Sequence, residues 1–346
     1  MLTALQHRLQ EVFAAGSTAR LARLPDKGLA HDHVRLVGTG VLARIPKQSQ
    51  MRLGAADNLA YQKTCFERAA PSGHTPQLVV TLVPDSLLPW GALLVEDIVG
   101  TPAVLPDQLP ALIQALAALH ALPVPDLAAR APLQHSADPA LALVQEIATQ
   151  AQYLSKADLM PSALRLIEAA LSDLRERLSV QHRPPIALIA FDGHPGNFIV
   201  RPSGQAVLVD LEKCRYSYPG LDLAHATLYT STTWDVASHA VLSDASVLNA
   251  YATWGRAVGP LLASAALPWH GTLRRAMGLW SLTWCAKWRV LSGQQTSGLP
   301  VGEDWSQARS DSALVAHVRE RVDHYLSEET VAQLMAGFDR FESALA

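Results

Sequence analysis

The sequence has little cysteine, little charge and no repeats, and each shortage excludes something. Only three of its 346 residues are cysteine, Cys65, Cys214 and Cys285. They lie far apart with no CxxC pair, which argues against a zinc site or a disulfide framework and fits a reducing compartment. Charged residues make up 17% of the chain, and the net charge is −3. Lys and Arg are scattered, with no run that would leave an electrostatic footprint on nucleic acid or an anionic membrane, so neither is expected as a partner. The opening "MLTALQHRLQEVFAAGS" has helical periodicity with charges inside it. It reads as neither a signal peptide nor a spanning segment, and a cytoplasmic protein is expected. No internal repeat or low-complexity segment stands out beyond a richness in Ala and Leu. What is present is apolar bulk, 49% of the residues, enough for two domains or one large domain split into lobes.

The pattern changes along the chain. "HDHVRLVGTGVLARIPK" holds two alternating apolar runs around Gly38-Thr39-Gly40, which predicts a hairpin. A helix is expected over Asp57 to Ala70, and two further strand-like runs follow, "QLVVTLV" and "GALLVEDIV". Beyond "VGTP" the chain turns helical: "PDQLPALIQALAALHALPVP" is an Ala/Leu helix bounded by prolines, and 140–180 and 240–345 follow a helical period. An α+β organisation results, with an antiparallel, β-rich N-terminal lobe at 1–98 and a mainly helical lobe at 99–346, joined near Glu96 to Pro102.

One segment interrupts the helical part. "IAFDGHPGNFIV", Ile189 to Val200, places Asp192, His194 and Asn197 in a Gly/Pro-rich loop, and "AVLVDLEKC" follows at Ala206 to Cys214. Gly193 and Gly196 permit unusual backbone angles, "FIV" and "AVLVD" read as a hairpin around "RPSGQ", and the returning strand carries Asp210 towards the loop. Two carboxylates and an amide converging there are all oxygen donors, which suits a hard cation such as Mg²⁺ better than zinc. An Asp, an Asn five residues on and an Asp ending the next strand is also the arrangement that phosphoryl transfer uses.

At these residues the sequence resembles the aminoglycoside phosphotransferase and choline kinase-like family of small-molecule kinases, which have a protein-kinase-like two-lobe fold. The family pattern is His-Gly-Asp-x-His-Pro-Gly-Asn; here Ala190 and Phe191 stand at the first two positions, and the pattern is kept from Asp192 to Asn197. The resemblance implies ATP and Mg²⁺ as cofactors and a hydroxyl of a small molecule as acceptor. It implies Asp192 as catalytic base, Asn197 and Asp210 as metal ligands, and His194, Glu212 and Asp222 as supporting residues. "LAALHALPVP", "YPGLDLAHAT" and "GTGVLARIPK" are similar to further family segments, the last making Arg44 the phosphate-contacting residue with Lys47 as its rival. Nucleotide is expected between the lobes near Glu96 and Ile98, with Gly28 in the loop over the phosphates.

Three features depart from the family pattern: Ala190 and Phe191 offer no side-chain support to the loop, Gln62 stands where a Glu would pair with the basic residue, and the glycine-rich loop keeps only Gly28. They motivate an alternative, a catalytically impaired kinase-like protein that binds nucleotide and regulates. A metal-dependent hydrolase using Asp192, His194, Asp210 and His225 is the third reading. His120 and His225 read as packed histidines, and the cysteines as small buried hydrophobes. Trp280, Trp284 and Trp288 form one helix face, read as core with the option of an aromatic wall for an ammonium group. Asp235, Asp244, Glu303 and Asp304 read as solvated. Acceptor identity and oligomeric state are not written in the sequence.

Overall fold

The computed structural model describes residues 1–13, 18–25, 30–180, 182–292 and 312–345. Helix α1 (Leu2–Val12) leads into strands β1 (Leu21–Arg23), β2 (His31–Leu36) and β3 (Val41–Pro46). Helix α2 (Ala55–Ala69) follows, then β4 (Leu78–Leu82) and β5 (Ala92–Glu96). The five strands make one antiparallel sheet in the order β1-β2-β3-β5-β4. The expected β2–β3 hairpin turns through Gly38 and Gly40, whose φ angles of 83° and 71° strain any residue with a side chain.

Alternation along the central strands sorts their side chains between two helices. Val41, Ala43 and Ile45 of β3 and Ala92 and Leu94 of β5 pack with Leu5 and Leu9 of α1. The opposite face places Leu93 and Val95 with Leu59, Tyr61 and Phe66 of α2. Arg44 has the parity of the α2 face, and its guanidinium carbon lies 5.6 Å from the Phe66 ring centroid.

The chain leaves the sheet at Glu96 and becomes mainly helical. The next elements are β6 (Thr101–Pro102), α3 (Leu109–His120), α4 (Pro139–Ala151) and α5 (Pro161–Arg177). Four short strands follow, β7 (Ala187–Ile189), β8 (Phe198–Val200), β9 (Ala206–Leu208) and β10 (Arg215–Ser217). The remaining helices are α6 (Pro219–Thr227), α7 (Tyr229–Thr232), α8 (Asp244–Val258), α9 (Pro260–Ala266), α10 (His270–Ser292), α11 (Ser312–Tyr325) and α12 (Glu328–Leu345). Start signals written in the sequence are used: Asp138 caps α4 through Ala140 N and Leu141 N, and Ser243 caps α8 through Ser246 N.

The β8–β9 hairpin expected around "RPSGQ" is present. β6 adds to the other edge of β8, and β7 pairs with β10. These additions are two or three residues long, too short for alternation to show in the sequence. Every residue of α6 is buried, and α10 packs across it. Trp280 and Trp288 are buried as expected, while Trp284 is half-buried against Trp234, with ring centroids 5.8 Å apart. No helix among the described residues is long and apolar enough to cross a membrane.

Candidate active site

Two strand pairs fix the loop that carries Asp192. The β7–β10 pair anchors its entry and the β8–β9 pair its exit. Phe198 lies opposite Leu208, and Val209 N donates to Asn197 O at 2.9 Å, so the register places Asp210 beside Asn197. Asn197 Nδ2 donates to the Asp192 carbonyl at 2.8 Å, leaving Oδ1 as the atom available to a cation. Asp192, Asn197 and Asp210 are thus brought together at the end of the small sheet.

The Asp192 carboxylate is held by basic groups. Lys213 Nζ donates to its Oδ2 at 2.8 Å, and His225 Nδ1 and His194 Nε2 lie 3.8 and 4.0 Å from Oδ1. Burial by itself raises the pKa of a carboxyl group. Here burial is outweighed by the basic neighbours together, Lys213 foremost and then His194 and His225, which hold Asp192 well below the usual range. His225 is the packed histidine the sequence suggested: its Nδ1 donates to Phe191 O at 3.1 Å, and burial lowers its pKa to about 4. His194 Nδ1 accepts from Gly196 N at 3.2 Å, which leaves Nε2 on the Asp192 side.

Support for the loop comes from behind. Asp222, fully buried, accepts from Ala190 N at 2.7 Å and from Phe191 N at 2.8 Å. Trp254 Nε1 can only donate, so His120 Nδ1 accepts from it at 3.0 Å, and His120 Nε2 donates to Asp222 at 3.0 Å. Side chains that Ala190 and Phe191 lack are therefore replaced by their own backbone amides. Phe191 has φ 61°, rare for a residue with a side chain, and its ring is clamped. The Arg215 guanidinium carbon sits 3.5 Å from its centroid and the Trp280 ring stands edge-to-face with it, centroids 5.2 Å apart, and Glu146 ties Arg215 and Trp280 together at 3.0 and 2.8 Å.

Arg44 reaches the same place from the sheet. It is 4% exposed, and donates from Nη2 to Asp210 Oδ1 at 2.7 Å and from Nη1 to Val209 O at 2.5 Å. Burial raises the Asp210 carboxyl, but Arg44 and then His31 bring it below its ordinary value. Gln62 makes no pair with Arg44; its Oε1 is 2.9 Å from His31 Nε2, while Glu67 pairs with Lys63 at the surface. His31 Nδ1 stands 3.7 Å from Glu212, whose carboxyl is pushed up to about 8 by burial and by Asp210. Glu96 does not face the Asp192 cluster: it pairs with Arg201 at 2.6 Å, at the crossing from the sheet, and Ile98 is buried beside it in the chain. Gly28, Glu303 and Asp304 fall outside the described residues. Asp244 is exposed and paired with Arg340, and Asp235 caps Ala237 N.

Oxygen atoms of Asn197 and Asp210 fit a hard cation that completes its shell with water and phosphate. No group of three or more His, Cys, Asp or Glu side chains that could hold a metal ion gathers among the described residues. The family model of the phosphotransferase enzyme family matches residues 22–259, more than half of the chain and all of this cluster. The chain belongs to that family.

Solved structures agree on the fold of this phosphotransferase. An aminoglycoside phosphotransferase described as putative, from Ralstonia eutropha JMP134, is 13% identical, with a TM-score of 0.58 over 94% of this chain and 98% of its own. An ethanolamine kinase from Plasmodium vivax is 12% identical, with a TM-score of 0.60 over 92% and 86%. A thermostable aminoglycoside phosphotransferase mutant, solved as a ternary complex with ADP and hygromycin B, is 15% identical, with a TM-score of 0.57 over 93% and 98%. No curated protein matches the sequence. The phosphotransferase is thus a protein-kinase-like α+β chain with an antiparallel sheet and a helical lobe.

Three residues of the cluster were not singled out from the sequence: Lys213, Arg215 and Glu146. Lys213 had a signal, three residues after Asp210 in "VDLEKC". Arg215 and Glu146 had none, because 69 residues separate partners that only the tertiary fold joins.

Proposed function

We propose that the protein uses ATP and Mg²⁺ to transfer the γ-phosphoryl group to a hydroxyl of a small molecule, with Asp192 as the base. The observation that carries this reading is the convergence of Asp192, Asn197 and Asp210 at one loop in a chain of the phosphotransferase family. The nucleotide is proposed to lie between a sheet lobe at 1–98 and a helical lobe at 99–346, near Glu96 and Ile98, with Gly28 over the phosphates. ADP in one structural relative supports a nucleotide there.

Asp192 is too acidic to remove a proton from an unactivated hydroxyl outright. It orients the hydroxyl in line and accepts its proton as the bond to phosphorus forms, which is all that a loose phosphoryl-transfer transition state needs. Lys213 sits within reach of the same carboxylate and supplies positive charge where the phosphoryl group passes. Asn197 and Asp210 would hold Mg²⁺, which when bound offsets charge on the phosphates. Arg44 adds positive charge from the sheet side and steers Asp210. His194, Glu212 and Asp222 position these groups rather than react. The amides of Ala190 and Phe191 on Asp222 answer one motive for the alternative of a catalytically impaired, regulatory protein, while Gln62, which bonds His31 and not Arg44, leaves another.

Asp192→Asn tests the assignment. ADP release from ATP, measured across a panel of hydroxyl acceptors, should fall by about 10³-fold or more, about 4 kcal/mol in the barrier, while nucleotide affinity changes little. Turnover by that variant at the wild-type rate would remove Asp192 as base.

A further inference from the structure

Helices α6, α7, α8, α10 and α12 line a pocket of about 90 Å³ that opens to solvent. It shares no residue with the cluster around Asp192. Arg274 of α10 lines it and is 8% exposed. The next residue, Arg275, pairs with Asp339 and Glu342 at 2.5 and 3.0 Å. Arg274 has no carboxylate partner among the described residues. It donates to Thr227 Oγ1 at 2.7 Å and Thr227 O at 3.3 Å, its guanidinium carbon lies 5.1 Å from the Phe341 ring centroid, and its Nε is buried without a hydrogen-bond partner.

Thr232 also lines the pocket, but it is 1% exposed and its hydroxyl is closed off from the open space, without a hydrogen-bond partner among the described residues. A guanidinium keeps its charge in proteins, and a buried charge without a counter-charge is costly. Leu248, Leu334 and Phe338 make the walls apolar. Arg340 and Asp244, also lining residues, are exposed and pair with each other at 2.9 Å, so their charges cancel. One unmatched positive charge remains.

We propose that this pocket binds a small monocarboxylate, with its carboxylate on the Arg274 guanidinium and its apolar body against the leucine and phenylalanine walls. A single negative charge balances Arg274, whereas a phosphate dianion would bring one charge too many; planar carboxylates also match the guanidinium fork. The position gives the site a line to catalysis. Thr227 is the last residue of α6, the helix whose Asp222 holds Ala190 and Phe191, so a ligand on Arg274 acts on the element that supports the loop.

Calorimetric titration of the full chain with benzoate, and with benzamide as its uncharged counterpart, tests the site. Benzoate should bind at least tenfold more tightly than benzamide. Arg274→Met and Leu248→Trp should each weaken benzoate at least tenfold while the protein still shows a folded melting transition. Leu248→Trp fills the pocket without touching the arginine, and it decides the matter if Arg274→Met does not fold. Absence of benzoate binding at millimolar concentration, equal binding of benzamide, binding unchanged by Leu248→Trp, or tighter binding of inorganic phosphate would each overturn the proposal.

Discussion

Lys213 decides how Asp192 titrates, because its ammonium is the nearest charge to a carboxylate that burial alone would make less acidic. Lys213→Met removes that charge, so the Asp192 pKa rises. The acid limb of kcat/KM should then move to higher pH by about one unit or more, alongside a fall in rate. A pH–rate profile with an unmoved acid limb would show that the contact does not govern the base. Glu212 carries the opposite perturbation, with a folded value of about 8 against an ordinary carboxyl near 4.5. Between those values the folded chain holds a proton that the unfolded chain releases. Its contribution to stability is therefore full below about pH 4.5 and is lost as pH rises through about 8. Glu212→Gln should flatten the decline in melting temperature between about pH 5 and 8. His31 and His225, lowered to about 3 and about 4, act in the other sense and withdraw stability as pH falls below about 6.5. At this scale the meeting of Asp192, Asn197 and Asp210 was legible because their spacing puts two of them on one loop and the third on the strand that returns to it. Lys213 had a local signal, three residues after Asp210, but its contact with Asp192, 21 positions away, was not singled out.

The entry to the Asp192 loop, Ala190 and Phe191, is held from behind by helix α6. Asp222, on a helix with no exposed residue, presents two oxygens to three N–H groups, those of Ala190, Phe191 and His120. Asp222→Asn replaces one acceptor with a donor that faces another donor. Leaving buried N–H groups unpaired should cost about 3 kcal/mol or more in chemical denaturation. The variant should also lose kcat out of proportion to nucleotide affinity, since the loop shifts while the sheet side is untouched. Equal stability of variant and wild type would mean that the loop is held elsewhere. The helices, the β2–β3 hairpin and the β8–β9 hairpin were readable because caps, prolines, glycines and periodicity are local signals. β6, β7 and β10 were not, because strands of two or three residues owe their existence to partners far along the chain. Gly100 shows the same limit: a Cβ there would meet Val200 O at 2.4 Å, a constraint invisible until β6 and β8 are paired.

Across the molecule, the change from alternating to helical periodicity announced an antiparallel sheet followed by a mainly helical part, and the family pattern after Asp192 announced the fold. The network that joins the parts was not legible. Arg44 reaches Asp210 across 166 residues, and Gln62 turns to His31 where the family pattern led one to look for an ion pair with Arg44. This bridge places the acid proposed to hold the metal under the control of both the sheet and the helical lobe. The measurement that tests the account most directly is the melting temperature with ATP, with and without Mg²⁺, for the wild type and for Asp210→Ala. The account predicts that Mg²⁺ and ATP together stabilise the wild type, by about 2.7 kcal/mol at a hundred times the dissociation constant, and that Asp210→Ala loses the Mg²⁺-dependent part. No shift with ATP at saturating concentration, or an undiminished Mg²⁺ response in Asp210→Ala, would contradict it.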